Sequence, residues 1–325
     1  MKGNLDGQDQ LLLKERRFLL KEPQFDGCIK VKSLKGAMVA LVTPLDDRGQ
    51  LDEEGLHRLL DHVLAYSLTG VCPAGSTGEG PLLSRQVRAR LATVVSERVP
   101  NNVWNIPAVV ATTITEVSED LSAYADAGAD AVLVTTPFYY QLGSDAVTQW
   151  FEAVVSHSPL PVLLYNIPAL TKINIPPEVV RELARDELVI GMKDSSRDME
   201  YFERVLAVTR ETSFSVFTGS DTLLTGSCLL GGAGTIAASA NLVPEIVSLL
   251  WSAMQAEDWS KAGDLQLQLL KIVDICRKFG FPVCWKAALH LLGVCSSHPA
   301  FPLASLTAPM LRQFAKDLVE VGMTV

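Results

Sequence analysis

The feature that most constrains this chain is a rhythm: short, unbroken apolar runs of strand length alternate with amphipathic segments of helix length. The runs fall at 37–42, 70–72, 104–110, 131–134, 161–165, 188–192, 214–217 and 234–237. A strand that is apolar on both faces must be covered on both faces, the condition of a parallel sheet flanked by helices. Most of the separators supply such helices. Segment 52–66 carries Leu56, Leu59, Leu60, Val63 and Leu64 on one face of a 3.6-residue period. Segments 84–99 and 115–127 behave alike, and Gly128 stands where a C-cap glycine belongs. About eight β/α units in roughly 210 residues predict an α/β fold, a (β/α)8 TIM barrel, with an open doubly wound sheet as the competitor.

Beyond residue 240 the strand signals stop. Segments 243–254, 259–278, 283–292 and 308–321 read as helices, broken by Gly280-Phe281-Pro282 and by 297–302. Thr307 is a candidate cap for the last of them, with Pro309 tolerated in its first turn. The expected organisation is an N-terminal extension at 1–35 with a short helix over 10–20, a catalytic barrel at 36–256, and a C-terminal helical domain at 257–325.

Of 325 residues 48% are hydrophobic, enough for a large core, and the formal charge is −9 without any long Lys/Arg run, which argues against nucleic-acid binding. The cysteines at 28, 72, 228, 276, 284 and 295 show neither CxxC pairing nor zinc-like spacing with histidine, so reduced thiols and no metal are expected. Residues 1–10 lack the apolar core of a signal peptide, and no apolar run approaches the ~20 residues of a membrane span. A cytoplasmic protein with no membrane contact is the expectation.

Barrel enzymes carry their chemistry at the C-terminal ends of strands. The residues there are Gly75-Ser76-Thr77-Gly78-Glu79-Gly80, Thr135-Thr136-Pro137-Phe138-Tyr139-Tyr140, Tyr165-Asn166-Ile167-Pro168, Lys193-Asp194-Ser195-Ser196 and Gly219-Ser220-Asp221. Lys193 directly follows Leu188-Val189-Ile190-Gly191-Met192. A lysine is rarely buried, and an amine withdrawn from water favours the neutral form that attacks carbonyls. Position alone leaves two readings: a nucleophile, or a strand-end lysine paired with Asp194. The glycine-spaced hydroxyls of 75–80 can cradle a carboxylate or phosphate, or form a plain turn. Tyr165 and Tyr139 are either donors at the mouth or packing residues. The five histidines fall on predicted helices or loops away from the strand ends.

Taken in order, Gly75-Ser76-Thr77-Gly78-Glu79, Pro137-Phe138-Tyr139-Tyr140, Tyr165-Asn166-Ile167-Pro168, Gly191-Met192-Lys193-Asp194 and Gly231-Gly232-Ala233-Gly234 resemble the dihydrodipicolinate synthase/N-acetylneuraminate lyase family, over about residues 36–325. The resemblance implies a Schiff base between Lys193 and pyruvate or a longer 2-oxo acid, without metal or organic cofactor. It implies that Tyr165 shuttles protons and that Ser76 links it to Tyr139, reaching in from a neighbouring subunit of a homotetramer, a dimer of dimers. Gly75, Ser76, Thr77, Asp221 and Ile236 are the implied substrate-binding residues.

Two positions depart from the branches of that family. The synthase branch places an arginine where this chain has Leu170, and the sialate lyase branch an Asp-Glu pair where this chain has Asp221-Thr222. The leading expectation is therefore an aldolase of a 2-oxo-3-deoxy sugar acid or sialate-like compound. The alternatives are condensation of pyruvate with aspartate semialdehyde, a dehydratase of the same family, and a non-catalytic metabolite-binding barrel.

Overall fold

The computed structural model describes residues 34–325; the expected extension up to residue 33 and its helix at 10–20 lie outside the described residues. The first five strands are β1 (Gly36–Ala40), β2 (Gly70–Cys72), β3 (Trp104–Asn105), β4 (Ala108–Val109) and β5 (Val132–Thr135). β6 (Val162–Asn166), β7 (Val189–Asp194), β8 (Ser215–Thr218) and β9 (Gly234–Ala237) follow. All pair in parallel in the order β3-β2-β1-β9-β8-β7-β6-β5-β4. A doubly wound sheet reverses its strand order partway; this one does not, so the competitor fails.

The run at 104–110, expected as one strand, is two halves with Ile106-Pro107 between them. The β3 half pairs with β2 and the β4 half with β5. Around the break, Ile106 N donates to Val71 O (2.9 Å) and Leu133 N to Pro107 O (3.0 Å). Pro107 has no N–H to give, which interrupts the ladder but costs no unpaired donor. The two halves act as one stave, and the sheet closes into a (β/α)8 barrel.

The connecting helices are α1 (Glu53–Leu64), α2 (Arg85–Arg98), α3 (Ile114–Asp126), α4 (Ser144–His157), α5 (Pro168–Thr171), α6 (Pro177–Leu183), α7 (Met199–Thr209) and α8 (Leu224–Leu229). Several start where the sequence places a cap. Asp52, Ser84, Thr113 and Asp198 accept from the backbone N–H groups of Gly55, Val87, Glu116 and Tyr201. Gly128 adopts the left-handed φ of +86° that ends α3. α9 (Pro244–Gln255), α10 (Trp259–Lys278), α11 (Val283–Leu291) and α12 (Ala308–Glu320) complete the chain, the last capped by Thr307.

Strand alternation sorts the core. Val132, Val134, Val162, Leu164 and Met192 face the surrounding helices, while Met38, Cys72, Leu133, Leu163 and Phe217 fill the barrel. The C-terminal helices bury Leu269, Ile272, Trp285 and Phe314 in one cluster with Leu41 and Leu45, so they pack on the β1 side of the barrel. Each such side chain contributes about 1.5–3 kcal/mol of burial. Among the described residues no helix is long and apolar enough to cross a membrane, and the cysteines are all free thiols. Cys28 lies outside them.

Candidate active site

Parallel pairing puts Tyr165 opposite Lys193 and Asn166 opposite Asp194. Because side chains alternate, the first pair enters the barrel and the second faces outward. Outside, Asn166 Nδ2 donates to Asp194 Oδ1 (2.8 Å) and to Asn174 Oδ1 (2.7 Å). Asp194 also accepts from the backbone N–H and hydroxyl of Ser196, at 3.0 and 2.9 Å. Burial pushes the Asp194 carboxyl above its usual range, and these donors oppose the shift. Lys193 and Asp194 therefore lie on opposite faces and form no ion pair, so Asp194 is not the partner of the lysine.

Inside, Lys193 is buried and its Nζ donates to the Tyr165 hydroxyl at 3.4 Å, 4.5 Å from the centroid of that ring. The Tyr165 hydroxyl stands 3.4 Å from Ser76 Oγ. An amine, a phenol and an alcohol thus form a line at the mouth. Cys72 faces the same interior; burial pushes its thiol up to about 12, opposed by the positive charge of Lys193.

Gly219, which the sequence places at a strand end without a role, packs against the lysine. A Cβ at Gly219, just past β8, would lie 2.8 Å from Lys193 Cε and would overlap the Ser195 hydroxyl. Glycine here leaves room for the lysine stem. The only signal was its place after an apolar run.

The loop 75–80 follows β2. Ser76 is partly exposed, Thr77 is buried, and Gly80 N closes the turn on Gly75 O at 3.0 Å. Ile236 on β9 is buried in the inner cluster with Tyr165 and Phe217. Asp221 is drawn into structure: its Oδ1 accepts from the backbone N–H (2.8 Å) and hydroxyl (2.5 Å) of Ser239. Its neighbour Thr222 has its hydroxyl 3.3 Å from that of Ser220.

One expected residue, Tyr139, is not brought to the lysine within one chain. Tyr139 is 86% exposed, in a left-handed backbone (φ 92°), and stacks edge-to-face on Tyr140 at 5.0 Å. Leu170, at the arginine position, lies exposed on α5. None of the five histidines bonds to Lys193, Tyr165 or Ser76 among the described residues. A cavity of about 570 Å³ between α6 and α7, lined by Asn174, Arg181, Tyr201 and Arg204, contains none of these groups.

With this geometry in hand, known proteins offer a comparison. The model of the dihydrodipicolinate synthetase family matches residues 33–321. A 4-hydroxy-tetrahydrodipicolinate synthase of Methanoculleus marisnigri is 32% identical over 89% of this chain and 99% of its own. That of Citrifermentans bemidjiense is 33% identical over 88% and 98%. Among solved structures, YagE of E. coli K12, a prophage protein of the dihydrodipicolinic acid synthase family in complex with pyruvate, superposes with a TM-score of 0.85. It is 29% identical and covers 89% of this chain and 99% of its own.

Proposed function

The chain belongs to the dihydrodipicolinate synthetase family, and on that premise we propose that Lys193 is the Schiff-base nucleophile of a pyruvate-dependent carbon–carbon lyase. The observation that carries this reading is the line Ser76–Tyr165–Lys193, with the amine buried beside a phenol that can take and return its protons. The Lys193 amine adds to the keto carbon of pyruvate, and water leaves as the protonated imine forms. Loss of a C3 proton gives the enamine, which attacks an aldehyde to form the new C–C bond. In the reverse direction the bond breaks, aldehyde departs, the enamine takes back a proton at C3 and hydrolysis of the imine frees pyruvate; the same hydrolysis releases the forward product. Tyr165 carries the protons, relayed through Ser76, while Ser76 and Thr77, with their own backbone N–H groups, hold the carboxylate.

The second reactant has two readings. The names of the relatives favour condensation with aspartate semialdehyde over the sugar-acid cleavage expected from the sequence. Against that, Leu170 offers no guanidinium to grip the aldehyde's carboxylate, which keeps a 2-oxo-3-deoxy sugar acid as the other reading. Tyr139 completes the relay of a neighbouring copy in a homotetramer, in keeping with its exposure in the single chain. The free thiols at 72, 228, 276, 284 and 295 support a reducing, cytoplasmic setting.

The test is reductive trapping. Pyruvate and borohydride should leave an adduct, seen by intact mass, that is absent in Lys193→Ala; its absence in the unmodified chain overturns the proposal. Aspartate semialdehyde condensation run beside pyruvate release from 2-oxo-3-deoxy acids then separates the two readings.

A further inference from the structure

Just past the two hydroxyls of the 75–80 loop lies a buried ion pair that the chemistry above does not use. Glu79 is 2% exposed and Lys286 on α11 is wholly buried, with Nζ 2.7 Å from Glu79 Oε1. The pair is embedded in backbone from one more segment. Ala300 N donates to Glu79 Oε2 at 2.5 Å, and Lys286 Nζ donates to His298 O at 2.8 Å. Beside them, the Ser296 hydroxyl donates to Leu45 O, just beyond β1. The 296–300 segment thus crosses the C-terminal end of β1 and β2, where the hydroxyl loop begins.

The loop has little freedom of its own. Ala74 and Glu79 both take a left-handed φ of 59°, which a side chain rarely adopts unless surroundings enforce it. A Cβ at Gly78 would lie 2.6 Å from Leu41 O, and one at Gly80 would overlap Ala74 O, so the turn is packed tight against β1. A second anchor comes from Thr43, whose hydroxyl donates to Gly78 O at 2.7 Å. If cohesion alone were needed, apolar side chains of similar volume would serve at 79 and 286, because a buried ion pair costs its own desolvation. That cost is visible: burial lowers the Lys286 pKa, against the opposing attraction of Glu79. What a charged pair provides beyond cohesion is direction. It fixes Glu79, and with it the turn that presents Ser76 and Thr77.

We propose that Glu79, Lys286 and Thr43 are positioning residues that clamp the 75–80 loop from α11 and from the end of β1, so that the C-terminal helices set the affinity of the site for the carboxylate of pyruvate. This rests on the reading that Ser76 and Thr77 hold that carboxylate.

Borohydride trapping of the full chain across a range of pyruvate concentrations tests it without any choice of second reactant. Two variants are compared with the parent: the double variant Glu79→Gln/Lys286→Met, which removes the charges but keeps volume, and the milder Thr43→Val. The pyruvate concentration for half-maximal trapping should rise about tenfold in the double variant, the loss of a charge-assisted contact, and roughly threefold in Thr43→Val. The trapped fraction at saturating pyruvate should stay complete in both. A purely structural role predicts the reverse, a lower plateau from misfolded chains with an unchanged half-saturation, and that result overturns the proposal. If the double variant does not fold, Thr43→Val decides alone, and an unshifted half-saturation there overturns it. Failure of the unmodified chain to trap pyruvate at all would instead reject the Schiff-base reading beneath it.

Discussion

Tyr165 and Lys193 occupy the same rung of two adjacent parallel strands, so the ladder between β6 and β7 itself brings the phenol to the amine. Removing only the hydroxyl, in Tyr165→Phe, leaves that ladder and the ring's packing intact. Turnover should fall by about 10²–10⁴, the usual worth of a positioned acid–base group, with the melting temperature little changed. Steady-state kinetics and thermal unfolding on the same sample check this. An unaffected rate would remove Tyr165 from the proton path.

Tyr139 stands clear of its own chain's lysine, and its proposed work is done across a subunit boundary. Tyr139→Phe and Lys193→Ala should each be nearly inactive alone. Mixed and reassembled, they should recover part of the activity, because the Lys193→Ala chain lends its tyrosine to the partner's intact lysine. Recovery that does not depend on reassembly, or none at all, would count against a shared site.

Gly219→Ala places a methyl 2.8 Å from Lys193 Cε. The Ser195 hydroxyl can rotate aside, but the lysine stem must shift, and misplacement of a reacting atom by about 1 Å can cost 10²-fold. Trapping by borohydride should slow at least tenfold while circular dichroism stays that of the parent. A parental trapping rate would show that the stem has more room than the packing indicates.

The buried thiols make an alkaline prediction. Burial pushes Cys72 and Cys295 up to about 12, from an ordinary value of 9.0. Between those values the unfolded chain has released the proton that the folded chain still holds, so stability must fall as pH rises through that window. Each thiol contributes at most about 1.4 kcal/mol per pH unit. Urea unfolding at pH 8 and 10 should show a shallower loss in Cys72→Ala than in the parent. Equal slopes would mean that Cys72 ionises at its ordinary value when folded.

Legibility in the sequence followed the range of the interaction. The start of the last helix could be read because its cap, Thr307, bonds within three residues, and the helices from 52 and 84 because their apolar faces repeat within a turn. Lys193 could be read because five apolar neighbours announce a strand interior. Lys286 sat in an equally apolar stretch, Val283-Cys284-Trp285-Lys286-Ala287-Ala288-Leu289, and the same argument would have flagged it. Its helical period hid it, since an amphipathic helix has a wet face to spare for a lysine. Its partner Glu79 is more than two hundred positions away, and no local pattern reports such a pairing. The break at Pro107, by contrast, had a local signal, since a proline inside an apolar run has no N–H for the ladder; what the sequence did not report is that the two halves pair with different neighbours.

The lysine and its phenol are fixed by strand pairing, whereas Leu170 is exposed on the four-residue α5 and Thr222 lies half-buried on the turn after β8. The backbone ladder that holds the first pair does not depend on their side chains, and it includes neither Leu170 nor Thr222. On the proposed chemistry, substitution at 170 or 222 can therefore alter the choice of second reactant while the imine-forming pair stays in register.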